Sequence, residues 1–233
     1  MCSEQTKNDF NKELQQVRDK VTIMAEMVSQ ELSDSVQAFA GRDQEQASEA
    51  AAADDLVNAS ERLIDDQIIK SIVFNQPMAS DCRQLIAALR IAKDLERIGD
   101  YASSIANHSM TLDQLEITGE EQRLIDMGHA VHTMMLEVIE AYEEQDVGKA
   151  EIIREQDNAI DELYTKIFED LLTINSNNSK MSSACTHLTF IARSMERIGD
   201  HITDIAEEII YTVQGKFPDD ERIKADFSAQ VTV

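Results

Sequence analysis

The sequence predicts an all-α protein built as two tandem antiparallel three-helix bundles related by pseudo-twofold symmetry. Three observations support this class. Only 7 glycines and 2 prolines occur in 233 residues, which leaves few turns between long helices. The pentapeptide Glu-Arg-Ile-Gly-Asp occurs at residues 96–100 and again at 196–200. Around the second copy, apolar residues recur at alternating steps of three and four, which is typical of a buried helix seam.

The repeat extends well beyond the pentapeptide. The offset between the halves is 100 around the pentapeptide and 103 earlier in each half. The matching pairs include Asp43 with Asp146, Asp54 with Asp157 and Ile91 with Ile191. Matches that keep their order over both halves argue against chance similarity between helices of like composition. Residues 1–115 are therefore predicted as the first bundle, 116–215 as the second, and 216–233 as a C-terminal tail.

Helix-ending residues divide the first unit into three helices. The first helix is expected over about 6–40, with Gly41 as the residue that ends it. Asp43 is expected to cap the second helix, which continues to about residue 74. The third helix is expected over roughly 80–114.

The second unit repeats this organisation. Thr118 and Glu121 form a capping-box pattern that opens it, and Asp146 is expected to cap its second helix. The polar run 175–179 is expected to be a loop, and the last helix is expected to end at Gly215.

The C-terminal tail carries three spaced apolar residues, Ile223, Phe227 and Val231. Their spacing is compatible with one docking turn or with a frayed tail. The terminal position favours the frayed tail.

Each third helix carries an apolar seam that has to be buried against its neighbours, which produces the bundles. In the second unit the seam is Leu188, Ile191, Met195, Ile198, Ile202, Ile205 and Ile209. In the first it is Ala88, Ile91, Leu95, Ile98, Ala102, Ile105 and Ser109. Gly99 and Gly199 lie inside these helices, where glycine costs about 1 kcal/mol relative to alanine. Their recurrence indicates a close approach by another backbone or by a ligand, or else a plain packing requirement.

The charge balance excludes several classes of partner. The chain has 21 Lys+Arg and 45 Asp+Glu, a formal net charge of −24. Such an excess of carboxylates argues against nucleic-acid binding and against docking on anionic lipid. No stretch approaches the ~20 consecutive apolar residues of a membrane span, so no direct membrane insertion is expected. Three widely spaced cysteines and a polar N-terminal stretch indicate a cytoplasmic location.

Acidic pairs on consecutive helices are the candidate functional residues. At 100° per residue, Glu196 lies about 140° and Asp200 about 180° from the middle of the seam, so both are expected on the exposed face. Glu96 and Asp100 repeat this geometry in the first unit. The preceding helices contribute Asp157 and Asp161 in the second unit, and Asp54 and Asn58 in the first. In each unit these side chains can converge along one outer groove.

Hard oxygen ligands in this arrangement suit Mg, Mn, Ca or ferric iron, and bridging carboxylates suit more than one ion. The alternative is an ordinary solvated helix face in a very acidic chain. A carboxylate-bridged metal hydrolase or oxidase is a further hypothesis. It requires a sheltered pocket, whereas these ligands are expected to face outward. A purely structural helical module, without bound metal, is the third.

The doubled pentapeptide resembles the signature of the PhoU family, bacterial and archaeal regulators of phosphate uptake. The resemblance covers about residues 8–215. Further matches are Gln76-Pro77-x-Ala79-x-Asp81-x-Arg83, which is similar to the family's Q-P-x-A-x-D-L-R, and residues 190–195 and 205–207. The resemblance implies the same fold, two three-helix bundles related by pseudo-symmetry.

In that family, repeated E/D-x-x-x-D motifs hold multinuclear iron or zinc clusters on the bundle surface. The resemblance implies a first site formed by Glu96, Asp100 and Asp54. A second site would be formed by Glu196, Asp200, Asp157 and Asp161. The first site departs from the acidic pattern at Asn58, whose amide oxygen carries no charge, and is therefore expected to bind metal more weakly.

The resemblance also implies a function without catalysis: a cytoplasmic negative regulator that links the phosphate ABC transporter to its phosphate-sensing histidine kinase. Arg97 and Arg197, beside the carboxylates, are candidate partner contacts, or else intrahelical ion-pair partners. Apolar positions outside the seams leave room for a homodimer.

Overall fold

The computed structural model describes residues 2–218 and 224–231, with side chains from residue 10 onward in the first helix. The described residues form six α-helices and two short 3-10 turns, and contain no strand. The helices are α1 (Cys2–Gly41), α2 (Gln44–Asn75), α3 (Ser80–Leu112), α4 (Glu121–Glu144), α5 (Val147–Asn177) and α6 (Ser182–Gln214). The 3-10 turns are Ser179–Met181 and Ser228–Gln230. The predicted all-α class is confirmed.

The helices pack in two sets of three. Helices α1, α2 and α3 contact one another, as do α4, α5 and α6, and α3 packs along α6 between the sets. No seam residue of α6 is more than 2% exposed, and none of α3 is more than 6% exposed. The predicted seams and tandem helical bundles are therefore confirmed. Among the described helices, none has a stretch both long and apolar enough to cross a membrane.

The predicted caps account for where three helices begin. Oδ1 of Asp43 accepts hydrogen bonds at 3.0 Å from the backbone N–H groups of the second and third residues after it. Oδ1 of Asp146 accepts one from the N–H of Lys149 at 3.1 Å. Oε1 of Glu121 accepts one from the N–H of Thr118 at 2.9 Å, which is one of the two bonds of a capping box, while Oγ1 of Thr118 accepts from the N–H of Glu120 at 3.2 Å. These bonds satisfy backbone donors that have no partner inside a helix.

Two predicted helix ends differ from the structure. Gly41 is the last residue of α1, and Arg42 adopts the left-handed conformation with φ 50°. The expected loop at 175–179 is mostly helix, because α5 continues to Asn177. Asn and Ser weaken a helix only modestly, and Ser176 donates a hydrogen bond to the carbonyl of Thr173 at 2.9 Å.

The prediction of a frayed tail is wrong for residues 224–231, which we call the C-terminal segment. The N–H of Ala225 donates to Oδ2 of Asp161 at 2.9 Å, and the N–H of Phe227 donates to Oγ1 of Thr165 at 3.1 Å. Phe227 remains 51% exposed, and Ile223 lies outside the described residues. The segment docks through polar groups, so the spacing of its apolar residues does not predict how it docks.

Replacing a seam residue should test the central position of α6. Ile198 is fully buried, so Ile198→Ala is expected to lower the free energy of unfolding by about 2–5 kcal/mol through the cavity it leaves. Ile152 on α5 is 58% exposed, and Ile152→Ala is expected to change stability by less than about 0.5 kcal/mol. Urea denaturation followed by circular dichroism measures both, and similar losses would contradict the assigned seam.

Candidate functional site

The first carboxylate cluster comprises Glu31 of α1, Asp54 of α2, and Glu96 and Asp100 of α3. Gly99 makes room for two of these side chains. A Cβ atom at position 99 would lie 3.2 Å from Oδ1 of Asp54 and 3.4 Å from Oε2 of Glu31. A larger residue would crowd both carboxylates, so the glycine serves a close approach by charged groups.

Glu31 is the most unusual residue of this cluster. Its side chain is buried, at 2% exposure, and neither carboxylate oxygen has a hydrogen-bond partner among the described residues. Burial, together with the charges of Asp54 and Asp100, raises its pKa from 4.5 to about 9. A buried carboxylate in this state is either protonated or requires a cation.

Asp54 shares this environment. Its Oδ1 is also buried without a hydrogen-bond partner among the described residues, while Oδ2 accepts a hydrogen bond from the amide of Asn58 at 2.7 Å. Burial and the neighbouring Asp100 raise the pKa of Asp54. The amide nitrogen of Asn58 therefore faces the cluster as a donor.

Glu31 changes the comparison between the repeats. Glu31 is not among the residues predicted from the sequence, although a carboxylate between Val28 and Leu32 on the apolar stripe of α1 is a signal that could have identified it. At the offset of 103, its counterpart is Met134, which is buried and apolar. The first repeat thus has Glu31 and Asn58 where the second has methionine and Asp161. Weaker metal binding at the first site was expected because only three carboxylates were predicted there. The structure places four carboxylates at this site.

The second carboxylate cluster comprises Asp157 and Asp161 of α5 with Glu196 and Asp200 of α6. Their exposures are 1%, 1%, 2% and 8%, so the expected position of Glu196 and Asp200 on an exposed face is wrong. The reason is that α6 packs against α3, α4 and α5, and the C-terminal segment bonds to Asp161 and Asp200. A Cβ atom at Gly199 would collide with Oδ1 of Asp157, which parallels the approach at Gly99.

The first cluster is less enclosed. The side chain of Glu96 is 14% exposed and that of Asp100 is 39% exposed. On this repeat the predicted outward orientation is therefore partly confirmed for Asp100, whereas Glu96 lies mostly covered.

The C-terminal segment brings a cation to the second cluster. Nζ of Lys224 lies 2.6 Å from Oδ1 and 2.7 Å from Oδ2 of Asp200. Asp226 of the same segment pairs with Arg193 at 3.5 Å. The ammonium group thus contacts both oxygens of one carboxylate of the cluster.

The arginines of the repeated pentapeptide form ion pairs within their own helices. Arg97 lies 2.9 Å from Asp100 and 3.5 Å from Glu96. Arg197 lies 3.2 Å from Asp200 and 3.5 Å from Glu196. The expected intrahelical pairing is thus present. A role for either arginine in partner binding stays a prediction.

Neither cluster, as described, brings three of its carboxylate groups within ligand distance of one another. In the described part of the chain, three metal-ligating atoms lie within 4.8 Å of one another only at Asp94, His201 and Asp204, outside both clusters. Burial and the charge of Asp200 raise the pKa of Glu196, and Arg193 and Arg197 oppose this. Like charges separate when no cation joins them, so a metal ion would have to draw these ligands together. The buried oxygen donors fit hard cations and, through bridging, more than one ion.

Fold and site together define a class: tandem three-helix bundles with a carboxylate cluster between the second and third helix of each repeat. The PhoU domain family model matches the chain twice, at residues 21–108 and 124–209. The chain belongs to the PhoU family.

Individual relatives agree over nearly the whole chain. The phosphate-specific transport system accessory protein PhoU homolog of Rhizobium meliloti is 35% identical over 94% of this chain and 93% of that protein. The homolog of Caulobacter vibrioides is 34% identical over 98% of this chain and 100% of that protein. The crystal structure of PhoU from Pseudomonas aeruginosa superposes with a TM-score of 0.86 at 32% identity, covering 89% of this chain and 100% of that one.

Replacing Glu31 by methionine, as in the second repeat, should remove a pH-dependent term in stability. Since the folded pKa is raised to about 9, the folded state holds a proton that the unfolded chain releases above its ordinary pKa of 4.5. The stabilisation by this proton is complete below pH 4.5 and is lost as the pH rises towards 9. Relative to the original chain, Glu31→Met should therefore gain about 2–3 kcal/mol between pH 5 and pH 7.

Denaturant unfolding in the presence of a chelator, at several pH values, measures this difference. Glu26→Gln, on the exposed face of the same helix, is the control and should show a constant difference. A Glu31→Met difference that does not change with pH would contradict the raised pKa.

Proposed function

We propose that this protein is a metal-binding negative regulator of phosphate uptake and phosphate-starvation signalling, without catalysis of its own. The observation that carries the proposal is membership of the PhoU family in both repeats, together with full-length relatives named as phosphate-specific transport system accessory proteins. Fold alone does not imply a function, but here the family match and the doubled site agree.

The proposed mode of action is that of a cytoplasmic adaptor between the phosphate ABC transporter and its sensor histidine kinase. Such an adaptor has no substrate to transform and acts by presenting helix faces to its partners. The side chains of Arg97 and Arg197 are 48% and 37% exposed, so a partner could contact them beside the carboxylates.

We further propose that both carboxylate clusters bind metal ions, iron or zinc by family resemblance, with Mg, Mn or Ca compatible with the ligand type. The buried, unbonded oxygens of Glu31 support this for the first cluster, and the ammonium of Lys224 on Asp200 supports it for the second. A cation at either cluster would tie the second helix of a repeat to the third. The metal content would then influence how rigidly these helix faces are presented.

Loss of the protein should raise the expression of phosphate-starvation genes when phosphate is plentiful. We expect a deletion strain of the host to express a phosphate-starvation reporter in phosphate-rich medium, and the intact gene to restore repression. Unchanged reporter expression after deletion would contradict the regulatory role.

The same strain can test the clusters. A gene carrying Asp54→Asn, Glu96→Gln and Asp100→Asn should restore repression less well at equal protein level, because the first cluster loses three of its four carboxylates. Glu26→Gln is the matched control and should restore it fully. Full repression by the triple variant would separate the regulatory role from metal binding at that cluster.

Lys224 should compete with metal at the second cluster. Lys224→Met removes the ammonium from Asp200, and we expect the affinity of the second cluster for Mn²⁺ to rise about tenfold, which corresponds to ~1.4 kcal/mol. Lys166→Met is the control, since Lys166 lies outside the cluster as described and pairs with the exposed Glu162 at 3.7 Å. Calorimetric titration with Mn²⁺ measures the affinities.

Elemental analysis after metal-replete expression then assigns the sites. The Asp157→Asn/Glu196→Gln/Asp200→Asn variant should lose the second-cluster metal and show no effect of Lys224→Met. Equal metal content in this variant and in the original chain would show that the ligand assignment is wrong.

A further inference from the structure

A group of ionisable side chains outside both carboxylate clusters lies where α3 packs against α6. Asp94 of α3 faces His201 and Asp204 of α6, and one ligand atom from each lies within 4.8 Å of the other two. Nδ1 of His201 is 3.0 Å from Oδ1 of Asp94 and 3.9 Å from Oδ2 of Asp204. The side chains of Asp94 and His201 are 19% and 21% exposed, and that of Asp204 is 60% exposed, so an ion could enter from solvent.

Glu208 lies one helical turn beyond Asp204 on α6 and is buried, at 7% exposure. Its Oε1 accepts a hydrogen bond from Arg90 at 2.9 Å, whereas its Oε2 is buried without a hydrogen-bond partner among the described residues. Burial raises the pKa of Glu208, and the charges of Asp94 and Asp204 raise it further against the opposing effect of Arg90. Glu208 is therefore a buried carboxylate with one oxygen bonded to Arg90 and the other oxygen without a hydrogen-bond partner among the described residues.

The internal repeat shows that packing of α3 on α6 does not require these residues. At the offset of 100, their counterparts are Ser194 for Asp94, Tyr101 for His201, Ser104 for Asp204, and His108 for Glu208. In the structure, Ser194 donates a hydrogen bond to Ser104 at 3.4 Å. The same helix crossing is therefore built once with hydroxyl groups and once with potential ligands.

The histidine ring is held in place. Tyr101 stacks on His201, with ring centroids 5.9 Å apart and an interplanar angle of 28°. Fixed ring orientation is what a metal-ligating histidine requires from its surroundings.

We propose that Asp94, His201 and Asp204 bind a divalent transition-metal ion, with Oε2 of Glu208 available as a further ligand. Imidazole suits Zn²⁺, Cu²⁺, Fe²⁺ and Ni²⁺, whereas Mg²⁺, Ca²⁺ and Mn²⁺ prefer oxygen ligands, so this site differs from an all-carboxylate cluster in its stronger preference for ions such as Zn²⁺ over Mg²⁺ and Ca²⁺. It also differs in place, because it joins the third helices of the two repeats. An ion here would fix one repeat against the other.

Zn²⁺ titration of the full-length protein with ¹⁵N-labelled histidine tests the proposal directly. We expect the Nδ1 resonance of His201 to shift in the first equivalents of Zn²⁺, before those of His108, His129, His132 and His187. A response of the His108 and His187 pair alone, whose Nδ1 atoms lie 2.9 Å apart, would overturn it. So would a His201 response confined to millimolar Zn²⁺.

Variants copied from the other repeat show which ligands matter. Asp94→Ser and Asp204→Ser introduce the residues found at the equivalent positions, so the fold should persist, and each should weaken the His201 response at least tenfold. Asp126→Asn, an exposed carboxylate on α4, is the control and should leave the response unchanged. A response that is identical in Asp94→Ser and in the original chain would overturn the ligand assignment.

A last variant separates this site from the second carboxylate cluster. Asp157→Asn/Asp161→Asn removes charge from that cluster and leaves Asp94, His201 and Asp204 intact, so the His201 shift should persist. Its loss in a folded variant would show that the ion belongs to the second cluster and would overturn the proposal.

Discussion

The physical constraint on which the rest of the structure depends is the burial of carboxylates between packed helices. Gly99 and Gly199 let the second helix of each repeat approach the third so closely that Asp54 and Asp157 lie against the backbone of their neighbours. Taking a carboxylate out of water costs several kcal/mol unless a proton, a cation or hydrogen bonds compensate. The seams hold the helices together through apolar burial, so they also force this cost on the acidic groups beside them. The ion pairs between basic residues and the clusters reduce this cost of burial.

The two repeats reduce this cost differently with the same number of carboxylates. In the first repeat, Glu31 is contributed by α1, in addition to the carboxylates of α2 and α3. Its raised pKa of about 9 means that the protonated acid is the stable form. In the second, the equivalent position is apolar, and Lys224 brings a positive charge from outside the bundle. If the clusters bind metal as proposed, the ion would compete with the proton on Glu31 in the first repeat and with the ammonium of Lys224 in the second.

Much of the fold could be predicted from residue types, and much of the site could not. The seam positions Ile198 and Ile202 can be predicted from the spacing of apolar residues alone. Asp43 predicts the start of a helix because its side chain bonds to backbone N–H groups only two and three residues further on. Burial of Glu196 could not be predicted in this way. An angle around one helix says which residues share a face, but not how many neighbours cover that face. The docking of the C-terminal segment could not be predicted for a related reason. The segment is held by backbone N–H groups and Lys224, whereas only its apolar spacing could be read from the sequence.

Pseudo-symmetry explains why such differences can arise without loss of the fold. The seams and the glycines recur because both bundles need them for packing, whereas positions at the edge of a helix contact tolerate any side chain that satisfies its polar atoms. The crossing of α3 and α6 illustrates this, with Ser194 and Ser104 on one side and Asp94 and Asp204 on the other. Only the second set carries charge and contacts a histidine, His201, whose counterpart in the first repeat is Tyr101. Repeated sequence therefore marks what the packing requires, and the departures from repetition, at Glu31, Asn58 and His201, lie at the proposed cation sites, which the packing does not require.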